Sequence, residues 1–174
     1  MIKKLSALAG ITLLGVTACT LHAAPLEIYL VRHAEKLKSA DKDPELSPCG
    51  LAQAKAMAKL IPTALNTIYH SGYQRTQQTA QQVALAQSDA KLQPYNAGDL
   101  PALAAKILQQ DSTVLVVGHS NTTPELIHLL SQLPAPQLTE QDYGVVYQLK
   151  QSGQAYSLLS STIVQPAICA SSNS

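Results

Sequence analysis

The chain has 174 residues, which is enough for one domain with its own hydrophobic core. Phe and Trp are absent, so the core must be built from Leu, Ile, Val, Ala and some Tyr. The formal net charge is +1, and it becomes −1 when Lys3 and Lys4 are set aside. A weak, scattered charge excludes a typical nucleic-acid-binding protein, which needs a clustered basic face.

The N-terminus has the pattern of a secretory signal. Lys3 and Lys4 precede an uncharged, mostly apolar stretch over 5–18, which is too short to cross a bilayer as a helix. We expect residues 1–18 to form a signal peptide, and cleavage near residue 24 is the alternative. Val16-Thr17-Ala18-Cys19 resembles a bacterial lipobox and favours lipidation of Cys19. The expected location is the periplasm, with contact to a membrane only through that lipid.

The first half of the mature chain alternates strands and helices. An apolar run predicts a buried strand over 26–31 that ends at Arg32-His33. Ser47-Pro48 is typical of an N-cap followed by proline at the first helical position, and the helix should end near Pro62. A second strand over 67–70 ends at Ser71, and a helix over 73–86 carries Arg75 in its first turn.

The second half continues the alternation and then changes. A third strand over 92–95 precedes a helix over 99–110, and a strongly apolar strand over 113–117 leads into Gly118-His119. A fourth helix should end near Leu133. Alternating residues on both sides of Ser152-Gly153 predict a β-hairpin. The small, polar segment 166–174 is predicted to be a flexible tail.

This order predicts an α/β fold, a three-layer α/β/α sandwich whose central sheet is mostly parallel with antiparallel strands added late. The domain should span residues 25–165. Ligands bind beyond the carboxyl ends of the strands in such sheets. Arg32-His33, Ser71 and Gly118-His119 all follow predicted strands, so we expect them to form one site.

The chain has only two arginines, Arg32 and Arg75, against ten lysines. A guanidinium group presents a planar fork of donors that fits phosphate oxygens, and lysine cannot copy it. Because Arg32 is adjacent to His33, the sequence predicts a phosphate site in which an imidazole could attack phosphorus.

Several motifs together resemble the histidine phosphatase superfamily, in its phosphoglycerate-mutase-like branch 1. They cover roughly residues 26–161 and occur in the order of that family. The motifs are Arg32-His33-Ala34-Glu35, Leu46-Ser47-Pro48-Cys49-Gly50, Ser71 with Arg75-Thr76 and Thr79-Ala80, and Gly118-His119.

The resemblance implies a two-step phosphoryl transfer through a phosphohistidine on His33, whose other ring nitrogen should donate to a carbonyl or carboxylate. Arg32, Arg75 and His119 would hold the phosphate oxygens. Gly118 would let the backbone approach the phosphate, Ser71 would contribute to the binding site, and Glu35 would support it. No metal and no other cofactor is implied.

The proton donor for the leaving group departs from the family pattern. Ser120 follows the second histidine, where the acid-phosphatase branch has an aspartate. Asp99 is the nearest match to the acid of the mutase-like branch, although it could equally be a helix N-cap. Glu125 is a second candidate. Without an acid, the substrate would need a good leaving group.

The sequence therefore predicts a small exported, metal-independent phosphatase that hydrolyses phosphomonoesters or related phosphates. Its partner would be a phosphorylated small molecule or phosphoprotein, and not a nucleic acid. The alternative is a non-catalytic phosphate- or phosphosugar-binding protein of the envelope with the same fold.

Cys49 and Cys169 remain if Cys19 is lipidated or removed. Two thiols in an oxidising compartment can pair, and the bond would tie the C-terminal segment to the first helix. Two inert thiols are the alternative, since sequence alone does not place their Cα atoms within bridging distance.

Overall fold

The computed structural model describes residues 27–62, 64–87 and 89–173. The predicted signal peptide 1–18, its extension to residue 24 and the lipidation site Cys19 lie outside these residues. No helix among the described residues has the length and apolar character needed to span a membrane.

Six strands form one sheet in the order β3-β2-β4-β1-β5-β6. Their bounds are Glu27–Arg32 (β1), Thr67–Ser71 (β2), Lys91–Tyr95 (β3), Val114–Gly118 (β4), Val145–Ser152 (β5) and Ala155–Thr162 (β6). The first four strands pair in parallel, and β5 and β6 pair antiparallel to their neighbours. The predicted mixed sheet is confirmed.

Two helices cover each face of the sheet. Their bounds are Pro48–Ala58 (α1), Gln74–Ala84 (α2), Leu100–Leu108 (α3) and Thr122–Ser131 (α4). One buried cluster joins α1 and α2 to one face of the sheet, and a second joins α3 and α4 to the other. Both β1 and β4 lie in the middle of the sheet, and all five residues of β4 are buried. This arrangement explains their almost continuous apolar sequences and confirms the three-layer prediction.

The start of α1 is built against the loop that follows β1. Ser47 caps the helix by accepting a hydrogen bond from the Gly50 N–H at 2.9 Å, with Pro48 at the start of the helix. The Ser47 hydroxyl also donates to the Glu35 carboxylate at 2.7 Å. A Cβ atom on Gly50 would lie 1.9 Å from the Glu35 carbonyl oxygen, so only glycine permits this close approach. The predicted N-cap is confirmed.

The described part of the predicted flexible tail 166–174 contains a short helix and a disulfide. Ala167–Asn173 forms a 3-10 helix, and a disulfide joins Cys169 to Cys49 at the start of α1. Gln165, just before this helix, accepts from Gln53 at 3.0 Å and donates to the Tyr143 carbonyl at 3.2 Å. The small, polar composition suggested mobility, but the disulfide attaches this segment to α1, and the two contacts of Gln165 hold the chain just before it.

Candidate active site

The ends of β1 and β4 bring two histidines together. Arg32 is paired with Gly118, and the N–H of His33 donates to the Gly118 carbonyl at 2.9 Å. His119 follows Gly118 directly, so its ring meets that of His33 edge-on, with 5.3 Å between the ring centroids. The backbone of the sheet therefore sets the spacing between these two side chains.

His33 is a neutral ring with one free nitrogen. It is 3% exposed, and its Nδ1 lies 2.8 Å from the Ala34 carbonyl oxygen. Because a carbonyl can only accept, Nδ1 carries the hydrogen. Burial lowers the pKa of His33 to about 3, and the positive charges of Arg32 and Arg75 contribute to this lowering. At neutral pH the lone pair on Nε2 is therefore available for bonding.

This environment predicts a loss of stability in acid. The pKa of His33 is about 3 in the folded protein against an ordinary value of 6.5, so below pH 6.5 the unfolded chain binds a proton that the folded chain does not. Stability should fall as the pH falls, and between pH 7 and 5 His33 should account for about 2 kcal/mol of that loss. Urea unfolding at both pH values should show a smaller loss for His33→Asn than for the wild type. Equal losses in the two proteins would contradict the assigned neutral state.

Arg32 is almost fully enclosed by the segment that precedes β5. Its guanidinium donates to the Thr139 carbonyl at 2.6 Å and to the Glu140 carboxylate at 2.9 Å. One face of the guanidinium lies 4.3 Å from the centroid of the Tyr143 ring. The Nε atom of Arg32 is buried and has no hydrogen-bond partner among the described residues. A buried N–H without a partner is costly, so this atom is a candidate donor to a bound anion.

Arg75 repeats this arrangement from the first turn of α2. Its guanidinium stacks 4.3 Å from the centroid of the Tyr73 ring, and its terminal nitrogen lies 3.5 Å from an Asp43 carboxylate oxygen. Asp43 also accepts from the N–H of Gln74 at 2.9 Å and so holds the start of α2. The Nε atom of Arg75 is buried and, within the described part of the chain, unpaired.

His119 is oriented by Ser71 at the end of β2. Its Nε2 lies 2.7 Å from the Ser71 hydroxyl, which in turn lies 3.0 Å from the Thr76 hydroxyl. Burial lowers the pKa of His119 to about 4, with further lowering by the charges of Arg75 and Arg32. This ring is also neutral at pH 7, and it can bind an anion by donating an N–H.

A cavity of about 300 Å³ opens over these side chains. His33, Arg75 and His119 line it together with residues that come from five different loops or helix ends. The latter are Lys36, Tyr73, Ala97, Ser120, Asn121, Thr122 and Glu140. Arg32 is not in the lining of this cavity, but it is hydrogen-bonded to Glu140, which is. The cavity therefore gathers positively charged donors around a neutral imidazole nitrogen, as an oxyanion requires.

Two of the predicted site residues have other surroundings. Glu35 lines a different cavity beside Gln53 and Tyr143, and its carboxylate accepts from Ser47. It supports the site by fixing the loop after His33 onto α1. Gly118 lies against hydroxyl groups and is not in the lining of the His33 cavity. A Cβ atom at this position would lie 2.8 Å from the Thr123 hydroxyl oxygen.

The structure does not bring Asp99 to the cavity that His33 lines. Its carboxylate caps α3 by accepting from the Ala102 N–H at 3.2 Å, and it borders a separate cavity beside Tyr95. The N-cap alternative therefore describes Asp99. Glu125 is exposed on α4 and also lies outside the lining of the His33 cavity.

Sequence reasoning missed Glu140, Tyr143, Tyr73 and Asp43. The two tyrosines each stack on one of the two arginines, and the two carboxylates each pair with one of them. Only Asp43 carried a sequence signal, as part of a polar loop before the Ser47 cap. Among residues 27–62, 64–87 and 89–173, no group of three or more His, Cys, Asp or Glu is placed to hold a metal ion.

Comparison with known proteins agrees with this geometry. The sequence profile of the histidine phosphatase superfamily (branch 1) matches residues 28–111, which include His33 and Arg75. The predicted resemblance to this superfamily is confirmed over these residues. No curated protein sequence matches the chain significantly.

Several solved structures with the same fold are described as phosphatases. The protein histidine phosphatase SixA in complex with tungstate has a TM-score of 0.60 and 17% identity, covering 78% of this chain and 96% of that chain. Phosphoserine phosphatase of Entamoeba histolytica with 3-phosphoglyceric acid has a TM-score of 0.56 and 17% identity, covering 80% and 98%. Mycobacterial glucosyl-3-phosphoglycerate phosphatase has a TM-score of 0.58 and 15% identity, covering 79% and 97%. At these identities the likeness is one of fold.

Proposed function

We propose that this protein is an exported phosphatase that hydrolyses phosphomonoesters or related phosphates through a covalent phosphohistidine on His33. The observation that carries the proposal is the neutral, buried His33 with a free Nε2 next to two arginines whose buried Nε atoms lack partners in the described structure. The match of residues 28–111 to the histidine phosphatase superfamily supports the same chemistry.

The first step is attack by His33 Nε2 on phosphorus. The N–P bond forms as the bond from phosphorus to the leaving-group oxygen or nitrogen breaks, and the leaving group takes up a proton. Water then attacks the phosphohistidine, the N–P bond breaks, and phosphate leaves. The Ala34 carbonyl keeps the ring in the tautomer that this step needs, because it holds the hydrogen on Nδ1 at 2.8 Å.

Arg32, Arg75 and His119 bind the non-bridging oxygens during both steps. The negative charge on those oxygens spreads in the transition state, so preorganised donors stabilise it. Tyr143 and Tyr73 contribute by stacking, because each restricts one guanidinium to a single plane. Ser71 fixes the ring of His119 through its 2.7 Å contact.

The substrate class follows from the surroundings of the leaving group. Asp99 caps a helix and lines another cavity, so it cannot serve as the proton donor from that position. We therefore infer that the substrate has a leaving group of low basicity, such as a phenol, an imidazole or a phosphate. The name of one solved relative, a protein histidine phosphatase, is consistent with an imidazole leaving group.

The export part of the proposal has two supports. Residues 1–18 have the pattern of a signal peptide, with Cys19 as a candidate lipid-bearing residue. In the described structure Cys49 and Cys169 are joined by a disulfide, which persists in oxidising compartments such as the periplasm.

The test is to trap the intermediate. Mature protein is mixed with an aryl phosphate in the presence of a chelator, quenched in alkali, in which phosphohistidine survives, and digested for mass spectrometry. We expect turnover in the chelator and a phosphoryl group on the peptide that contains His33. Phosphate binding without turnover and without a phosphorylated peptide would instead identify a non-catalytic phosphate-binding protein.

A further inference from the structure

We propose that Glu140 is an internal competitor of phosphate, whose carboxylate holds Arg32 while the site is free of phosphate and must release it when phosphate binds. Glu140 then determines how tightly the site binds phosphate. This inference deepens the proposed function, because it concerns the same anion site.

The hydrogen bonds of Arg32 support a competition. One of its terminal nitrogens donates to Thr139 at 2.6 Å, and the other is shared between Glu140 at 2.9 Å and the Tyr143 hydroxyl at 3.4 Å. The third guanidinium nitrogen, Nε, is buried without a partner in the described structure. A phosphate that binds a guanidinium through two parallel hydrogen bonds needs Nε together with a terminal nitrogen, or both terminal nitrogens. If the Thr139 bond is kept, the phosphate uses Nε with the terminal nitrogen whose two N–H groups already face Glu140 and the Tyr143 hydroxyl, so it competes with them for that nitrogen.

The charge of Glu140 makes sharing with phosphate unfavourable. Its other carboxylate oxygen accepts a hydrogen bond from the Ser120 hydroxyl. This bond and the charges of Arg32 and Lys36 lower the pKa of Glu140, so it is an anion at neutral pH. Among the described residues that line the His33 cavity, Glu140 is the one carboxylate. A phosphate dianion next to it would meet a like charge.

The local structure allows Glu140 to move without disturbing its neighbours. Its side chain is 74% exposed, whereas that of Arg32 is 2% exposed. The turn that carries it is closed by its own hydrogen bonds, from the Thr139 N–H to Asp142 at 2.6 Å and from the Asp142 N–H to the Thr139 carbonyl at 3.2 Å. That carbonyl also accepts from Arg32. The backbone can therefore stay attached to Arg32 while the Glu140 side chain rotates into solvent.

The test measures equilibrium binding of inorganic phosphate by calorimetry at pH 8. Glu140→Gln keeps the size of the side chain and removes its charge, and we expect it to bind phosphate about three- to tenfold more tightly than the wild type. Ser120→Ala, which removes the second contact of the carboxylate, should also bind phosphate more tightly. Asp111→Asn makes the same change of net charge at an exposed position outside the site and should match the wild type.

The possible results separate this inference from the proposed function. If the wild type binds phosphate and Glu140→Gln binds it equally or more weakly, Glu140 does not compete with phosphate. That result would leave the proposed phosphate site intact. Unchanged phosphate affinity with a kcat loss confined to alkyl phosphates would overturn the competition as well and make Glu140 a proton donor. No phosphate binding by the wild type or either site variant overturns both proposals.

Discussion

Replacing His33 by asparagine should lower kcat for an aryl phosphate by at least on the order of 10³-fold, because the nitrogen that forms the covalent intermediate in the proposed mechanism is lost. Asparagine retains a polar group that can reach the Ala34 carbonyl, which limits disturbance of the loop. The substitution leaves Arg32, Arg75 and His119 in place. We therefore expect phosphate to bind to the variant with an affinity within a few-fold of the wild type, as measured by calorimetry.

A matched control tests whether the loss of activity is specific to His33 or follows from replacing any histidine. His128 is exposed on α4, where its Nδ1 contacts the Leu133 carbonyl at 2.8 Å. His128→Asn should retain the full rate. If His33→Asn kept more than about a tenth of the wild-type kcat, water rather than His33 would be the attacking group, and the covalent mechanism would be wrong.

Loss of the disulfide should produce the largest change in stability. The bond closes a loop with a sequence separation of 120 residues. For loops of about 100 residues, restriction of the unfolded chain stabilises the folded state by about 4–5 kcal/mol in the chain-entropy account. We expect the double variant Cys49→Ala/Cys169→Ala to lose stability of this order in urea unfolding.

A reductant provides the complementary measurement. It should lower the unfolding midpoint of the wild type to near that of the double variant, and it should leave the double variant unchanged. An equal response of both proteins to the reductant would show that the two thiols are not paired in solution. Because Gln165, just before the 3-10 helix, donates to the Tyr143 carbonyl, the reduced protein should also have a lower kcat for aryl phosphate.

The sequence was a good guide where local chemistry decides structure. The alternation of apolar runs and helical patterns predicted the order of the six strands and four α-helices, and Ser47-Pro48 marked the start of α1. Parallel strands present their carboxyl ends at one edge of a sheet. For this reason Arg32-His33 and Gly118-His119 could be assigned to one site although 86 positions separate the two histidines.

Contacts between distant loops were beyond such reasoning. Glu140 lies in a polar segment without helical or strand periodicity, and its partner Arg32 is 108 residues away in the chain. Nothing in the local sequence distinguishes it from a solvated surface carboxylate. Asp99 is the reverse case, in which a functional role was assigned where a local one was enough. An acidic residue before Leu100-Pro101 satisfies the rule for a helix N-cap, and this role explains its position.

The bond from the His33 N–H to the Gly118 carbonyl has a practical consequence for redesign. Main-chain atoms of the two central strands fix the position of His33 relative to His119. Substitutions on the rim of the cavity should therefore leave that alignment intact. Positions 36, 97, 121 and 140 form part of the rim and come from separate segments. A laboratory search for new substrates can randomise positions 36, 97 and 121 together, because the alignment of the two histidines does not depend on them, whereas Glu140 holds Arg32 and is better kept.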